Sequence, residues 1–189
     1  MRLFIAIPVE DNLKKSLVEF QKQLKATQID IRLVQPENIH LTLRFLGEVD
    51  EKIVPSITEL MKQTVAGYRS FGTELKTTGA FPTVSSPRVI WVGYQELSNT
   101  DYTKQVYEKI EDGLLSLGLA PDDHSFSPHI TLARVKSSKN RDKLASLLKE
   151  KSDFYAGKQT IKEITLFQSQ LHPTGPVYSV VYSAVLQEK

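Results

Sequence analysis

The sequence of 189 residues predicts an α+β fold of two similar lobes, each a small sheet with helices on one face, meeting across a groove. Three observations predict it. The pattern His-apolar-Thr-apolar occurs twice, as His40-Leu41-Thr42-Leu43 and His129-Ile130-Thr131-Leu132, 89 residues apart. Each copy falls in a stretch with the two-residue alternation of a strand, and a similar order of strands and helices surrounds both. No linker or low-complexity tract separates the halves, so residues 1–189 read as one domain made of two lobes.

Element by element, Arg2 to Pro8 reads as a buried strand, and Leu13, Leu17, Phe20 and Leu24 follow at helical spacing. Ile31 to Val34 is a short strand, Pro36-Glu37-Asn38 a turn, and Ile39 to Phe45 the strand with the first signature, closed by Gly47. Ile53, Ile57, Leu60, Met61 and Thr64 mark a second helix with Pro55 near its start, where a missing amide costs little. Strands are predicted at Phe71 to Thr78 and Arg88 to Tyr94, then a helix carrying Tyr102, Val106, Ile110, Leu114 and Leu117. Ser127 to Val135 carries the second signature, and Leu144, Leu147 and Leu148 mark a fourth helix. Lys158 to Gln170 and Val177 to Leu186 read as closing strands joined by the turn-rich His172 to Pro176.

Cysteine is absent, which excludes disulfides, thiolate zinc sites and a cysteine nucleophile. The 24 basic and 22 acidic residues leave a net charge of +2, which neither demands nor excludes an anionic partner. Leu3 to Val9 is apolar but short and runs straight into Glu10 and Asp11, as an N-terminal strand does and a secretion signal does not. No apolar run approaches the ~20 residues of a membrane helix. A soluble cytoplasmic protein, by default a monomer, is the expectation.

In a strand, His and Thr two residues apart share a face while the apolar residues between and after them fill the other. A single such copy reads most simply as a half-buried histidine bonded to its neighbouring Thr. Two copies in one chain point to chemistry, because residue frequencies place the string twice in well under about one chain in a hundred. Two imidazoles with ordinary pKa values near ~6.5 suit acid-base catalysis, one neutral and the other protonated at the same pH. That pairing fits in-line displacement at phosphorus, where the entering oxygen loses a proton and the leaving oxygen gains one. Thr42 and Thr131 are candidates to donate hydrogen bonds to non-bridging phosphoryl oxygens.

The chain resembles the two-histidine (2H) phosphoesterase superfamily, in particular the RNA 2′,3′-cyclic phosphodiesterases also called 2′-5′ RNA ligases. The likeness rests on Arg2-Leu3-Phe4-Ile5-Ala6-Ile7, on Pro36-Glu37-Asn38-Ile39 leading into the first signature with Phe45-Leu46-Gly47 after it, on Ser127-Pro128 before the second with Ala133-Arg134 after it, and on Leu166-Phe167-Gln168-Ser169. The resemblance implies a bilobal, pseudo-twofold fold with two antiparallel sheets facing a central groove. It also implies metal-independent opening of 2′,3′-cyclic phosphate RNA ends to 2′-phosphomonoesters, with no cofactor. By the same resemblance His40 is the proton donor to the departing 3′ oxygen and His129 the acceptor that activates water, an assignment the symmetric signatures alone leave open. Substrates implied are RNA ends such as tRNA fragments, or small cyclic nucleotides, with 2′-5′ joining as the same step run with a ribose hydroxyl. Many relatives carry Arg five residues before the second histidine, where this chain has His124. A permanent cation is thereby replaced by a titratable one, expected to hold phosphate only when protonated.

Further candidates for substrate contact are Arg134, which closes the second signature, and Arg44, which shares the alternating face of His40 and Thr42. Seven basic residues (Arg134, Lys136, Lys139, Arg141, Lys143, Lys149, Lys151) face only Asp142 and Glu150 in the same stretch, either a polyanion-attracting patch or the solvated face of the fourth helix. Phe81, Trp91, Tyr94, Phe126 and Tyr178 are candidate base-stacking residues, Phe126 foremost because it lies three residues before His129. His172 has no partner motif and reads as a loop residue. Two rivals are a nucleotide or RNA binder without catalysis and a His-ligated metal hydrolase. The second lacks any carboxylate at recognisable metal spacing.

Overall fold

The computed structural model describes residues 1–123, 125–173 and 175–188. Nine strands and four α-helices follow in the order β1 (Arg2–Pro8), α1 (Asp11–Ala26), β2 (Ile31–Leu33), β3 (His40–Glu48), α2 (Val54–Val65), β4 (Phe71–Pro82), β5 (Pro87–Glu96), α3 (Tyr102–Ser116), β6 (His129–Val135), α4 (Arg141–Glu150), β7 (Tyr155–Ile161), β8 (Glu163–His172) and β9 (Gly175–Val185) among the described residues. All the strand pairings named here are antiparallel. The order is β7-β4-β5-β6-β3-β1-β8-β9, with β2 added to β6. The expected α+β class holds, and the two expected sheets are continuous: Leu41 pairs with Ile130 and joins their central strands into one curled sheet.

The helices cover the side of the sheet opposite the groove. Leu13, Leu17, Phe20 and Leu24 are buried along one stripe of α1 and Ile57 and Met61 along α2, as their spacing predicts. Chain order does not decide where a helix packs. α1 follows β1 but packs on β7 and β6, in the other half of the sheet, whereas α2 packs on β8, β9 and α3. The halves are thereby interleaved. No helix among the described residues is long and apolar enough to cross a membrane.

The predicted strand Lys158 to Gln170 is two strands. β7 pairs with β4 at one edge and β8 pairs with β1 and β9 on the far side, so the chain changes partner at Lys162. The alternation slips by one at the break, where Lys162 and Glu163 stand together between buried Ile161 and Ile164. β4 also extends past Thr78 to Pro82, which brings Phe81 to the groove.

Both signature strands carry a bulge at the same place. Against β1, Thr42 faces Ala6 and Arg44 faces Ile5, leaving Leu43 unopposed; against β5, Thr131 faces Trp91 and Ala133 faces Ile90, leaving Leu132 unopposed. Each extra residue inverts the alternation that follows. The bulged Leu132 carbonyl is satisfied from α1 by Gln21 Nε2 at 2.9 Å and from the chain after β2 by the Val34 amide at 2.9 Å. That accounts for a glutamine among the buried residues of α1.

Candidate functional site

The Leu41–Ile130 pair fixes what faces the groove. Both residues are buried toward the helices, so His40, Thr42, His129 and Thr131 project from the opposite face. Antiparallel register sets His40 level with Thr131 and Thr42 level with His129. The imidazoles therefore stand on a diagonal, a spacing of about 7–8 Å in sheets generally. A cleft of about 340 Å³ opens over them, lined by these four residues together with Asn38, Phe45, Phe81, Arg32, Arg134, Pro176 and Tyr178 among others.

Both rings are held the same way. His40 Nδ1 lies 2.7 Å from the Asn38 carbonyl and His129 Nδ1 lies 2.6 Å from the Ser127 carbonyl. A carbonyl only accepts, so each Nδ1 carries the proton and each Nε2 keeps its lone pair for the cleft. In the neutral form Thr42 Oγ1 donates to His40 Nε2 at 2.9 Å. Asn38, which sets the His40 tautomer, is itself pinned by Nδ2 donating to the Pro176 carbonyl at 2.8 Å.

Each ring also has a phenylalanine beside it, Phe4 of the adjoining β1 at 4.9 Å from His40 and Phe81 of β4, one strand beyond β5, at 4.9 Å from His129, between ring centres. Phe167 and Tyr178 further enclose His40, at 6.4 and 5.6 Å. Burial in these surroundings lowers the His40 pKa to about 4, outweighing the Asn38 carbonyl, with Lys14 adding to the fall. His129 is lowered too, first by burial and then by Arg134, against the Ser127 carbonyl. Both shifts favour the neutral imidazole.

The bulges decide which later residues reach the cleft. On β6, Arg134 returns to the groove face, but on β3 the corresponding residue is Phe45, not Arg44. The expectation that Arg44 contacts substrate is therefore corrected. Its guanidinium points to the helix side, where Nε donates to Glu111 Oε2 at 2.6 Å and Nη2 to the Ala120 carbonyl at 2.5 Å, and where Asp122 lies 3.9 Å away. Phe126 is corrected as well: it stacks on Tyr107 of α3, ring centres 4.3 Å apart, and does not line the cleft.

Among the other aromatic candidates, Phe81 and Tyr178 line the cleft, whereas Trp91 lies against Phe81 and over Gly79. Tyr94 is taken up by Thr103 at 2.7 Å, and burial raises its pKa. Of the seven cations at 134–151 only Arg134 lines the cleft; α4 buries Leu144 and Leu148 and exposes Lys143 and Lys149 to solvent. His172 is exposed at the end of β8. His124 lies outside the described residues. Phe45, 58% exposed at the mouth of the cleft, and Arg32 escape the sequence reading, Phe45 because simple alternation assigns it to the core. Among the described residues no three His, Asp or Glu side chains gather where they could hold a metal ion.

Paired imidazoles and hydroxyls on adjoining strands, with guanidinium groups at the wall, are groups whose chemistry suits a phosphate ester. The chain belongs to the family described as LigT like Phosphoesterase, whose model matches residues 7–91 and 97–178, in keeping with the 2H resemblance of its motifs. It is 38% identical over 182 residues to an RNA 2′,3′-cyclic phosphodiesterase of Thermotoga maritima, covering 96% of this chain and 94% of that one. It is 35% identical over 181 residues to one of Methanocaldococcus jannaschii, covering 96% and 98%. A crystal structure of a Thermus thermophilus protein, TT0787, superimposes over 100% of both chains with a TM-score of 0.83 at 28% identity.

Proposed function

We propose that the protein hydrolyses 2′,3′-cyclic phosphate at RNA ends to the 2′-phosphomonoester. Water attacks phosphorus and gives its proton to His129 Nε2, the bond from phosphorus to O3′ breaks, and O3′ takes a proton from His40 Nε2. Thr42 and Thr131 donate to the non-bridging oxygens as charge builds on them. The observation that carries this reading is the matched pair of imidazoles, each with Nδ1–H on a backbone carbonyl and Nε2 toward one cleft. The names of the relatives support the cyclic phosphodiester as substrate.

Burial alone leaves His40 without the proton it must donate. The negative phosphodiester supplies the opposite charge that raises its affinity for one, so the acid forms with substrate in place. The flanks support the division of roles. Exposed Phe45 beside His40 suits the base of the terminal nucleoside, whose O3′ departs toward His40 while O2′ keeps the phosphate, and Arg134 beside His129 disfavours imidazolium and so keeps that ring a base. Joining of RNA ends by a 2′-5′ bond is the same displacement with a ribose hydroxyl in place of water.

Product analysis on a short oligoribonucleotide ending in a 2′,3′-cyclic phosphate tests the reading. A terminal 2′-phosphate, formed in the presence of EDTA, is expected. A 3′-phosphate would reverse the roles of the departing oxygens, and no product would refute the activity.

A further inference from the structure

Arg32 has no part in the proposed chemistry, yet its position is specific. β2 and β6 pair with Arg32 directly opposite Arg134, and both side chains line the cleft. Like charges opposed across a ladder repel, which is destabilising. Among the described residues, neither guanidinium has a carboxylate within ion-pair distance or a hydrogen bond to protein. Arg32 rests on Gly175, φ +140°, where a Cβ would lie 3.0 Å from Nη2. The bare glycine backbone gives the guanidinium room.

We infer that Arg32 and Arg134 form a second phosphate subsite, which takes an internucleotide phosphodiester of RNA beside the scissile phosphate. A planar guanidinium donates to two phosphate oxygens at once, and a shared anion turns a repelling pair into a clamp. The scissile phosphate is already served by two imidazoles and two hydroxyls. A cyclic mononucleotide therefore leaves Arg32 without a partner, whereas an RNA strand does not. The phosphodiester belongs either to the strand that carries the cyclic end or to a strand whose 5′-hydroxyl enters in ligation. This inference rests on the proposed activity.

The test compares wild type with Arg32→Ala and Arg32→Lys on adenosine 2′,3′-cyclic phosphate, on the dinucleotide ApA ending in the cyclic phosphate, and in ligation with adenosine or a 5′-hydroxyl dinucleotide as acceptor. If the donor strand fills the subsite, the ratio of kcat/KM for dinucleotide over mononucleotide falls about tenfold in Arg32→Ala and less in Arg32→Lys, a loss typical of a charge-assisted contact. The salt dependence on the dinucleotide also flattens by about 0.7 in log–log slope, the share of one single-strand phosphate contact. If the acceptor fills it, that ratio holds and the preference for dinucleotide acceptor falls about tenfold instead. Each ratio is internal to one variant, so partial misfolding cancels. Unchanged ratios in both arms overturn the subsite alone. A wild-type protein inactive on every cyclic substrate overturns the activity itself.

Discussion

Replacing Arg44 by Ala separates the position that alternation assigns to it from the position the bulge gives it. In the structure Arg44 is a buried strut between β3, α3 and the segment leading into β6: its Nε holds Glu111 Oε2, while Glu111 Oε1 accepts the Asp122 amide at 2.8 Å. Removing one member of a buried ion pair strands the other, at a cost of about 3–5 kcal/mol. Glu111 and Asp122 keep 15% and 24% side-chain exposure, so water recovers part of that and about 3 kcal/mol is expected. For a chain of this size each kcal/mol moves the melting temperature by about 2–4 °C, a fall of about 6–12 °C in all. Urea unfolding of Arg44→Ala, of Glu111→Gln and of the double variant Arg44→Met/Glu111→Gln measures it, and the double variant should recover much of the loss because neither charge is then buried alone. A stability change below about 0.5 kcal/mol joined to a raised KM would refute the reasoning, since an exposed substrate contact behaves that way.

Three further outcomes follow from the cleft. His40→Ala and His129→Ala should each lower turnover by about 10²-fold or more with the fold retained, and near-wild-type turnover in both would sink the two-histidine chemistry. Phe45→Ala should raise KM for a cyclic nucleotide about tenfold, the scale of one lost base stack, while the unfolding midpoint hardly moves because the ring is largely exposed; an unchanged KM would show that no base rests there. The unfolded chain binds a proton at His40 near the ordinary 6.5 and the folded chain only near 4, so the stabilising effect of neutral His40 is whole above pH 6.5 and is lost as pH falls from there toward 4. Between pH 7 and 5 that loss is about 2 kcal/mol, and His40→Gln should flatten the difference between urea midpoints at the two pH values; parallel curves would mean that burial of the ring is not what lowers its pKa.

The strands and helices are legible because burial follows period: Leu13, Leu17, Phe20 and Leu24 face the core on α1, and the His-x-Thr pairs face away from Leu41 and Ile130. Long-range placement is not. The adjacent Lys162 and Glu163 slip the alternation between Ile161 and Ile164, but a slip does not say that the chain leaves β4 as a partner and joins β1. The bulges at Leu43 and Leu132 are equally quiet, with no glycine or proline at either. Their one trace in the sequence is a failure of alternation, Leu132 followed by the equally apolar Ala133, and a missed bulge suffices to misplace Arg44 and hide Phe45. Phe126 misleads for a simpler reason: nearness along the chain is not direction, and its ring turns back onto Tyr107.

Aligning the two signature strands residue by residue sets Arg44 against Ala133 and Phe45 against Arg134. The same bulge on each strand returns the fifth residue after the histidine to the groove and sends the fourth to the helices. Duplication thus supplies two equivalent imidazoles, and the positions just past the motif make them unequal. His40 sits among Phe4, Phe167 and Tyr178 with an exposed aromatic ring along its strand, and burial dominates its titration. His129 has one phenylalanine against it and is less enclosed, and the Arg134 guanidinium along its strand adds to the fall in its pKa as Lys14 does at His40. In the proposed chemistry, Arg134 disfavours imidazolium and keeps His129 ready to accept a proton, while an enclosed ring that gains charge only beside an anion makes His40 an acid conditional on bound substrate. On the proposed reading, direction in a nearly symmetric site comes from the residues that the bulges turn inward.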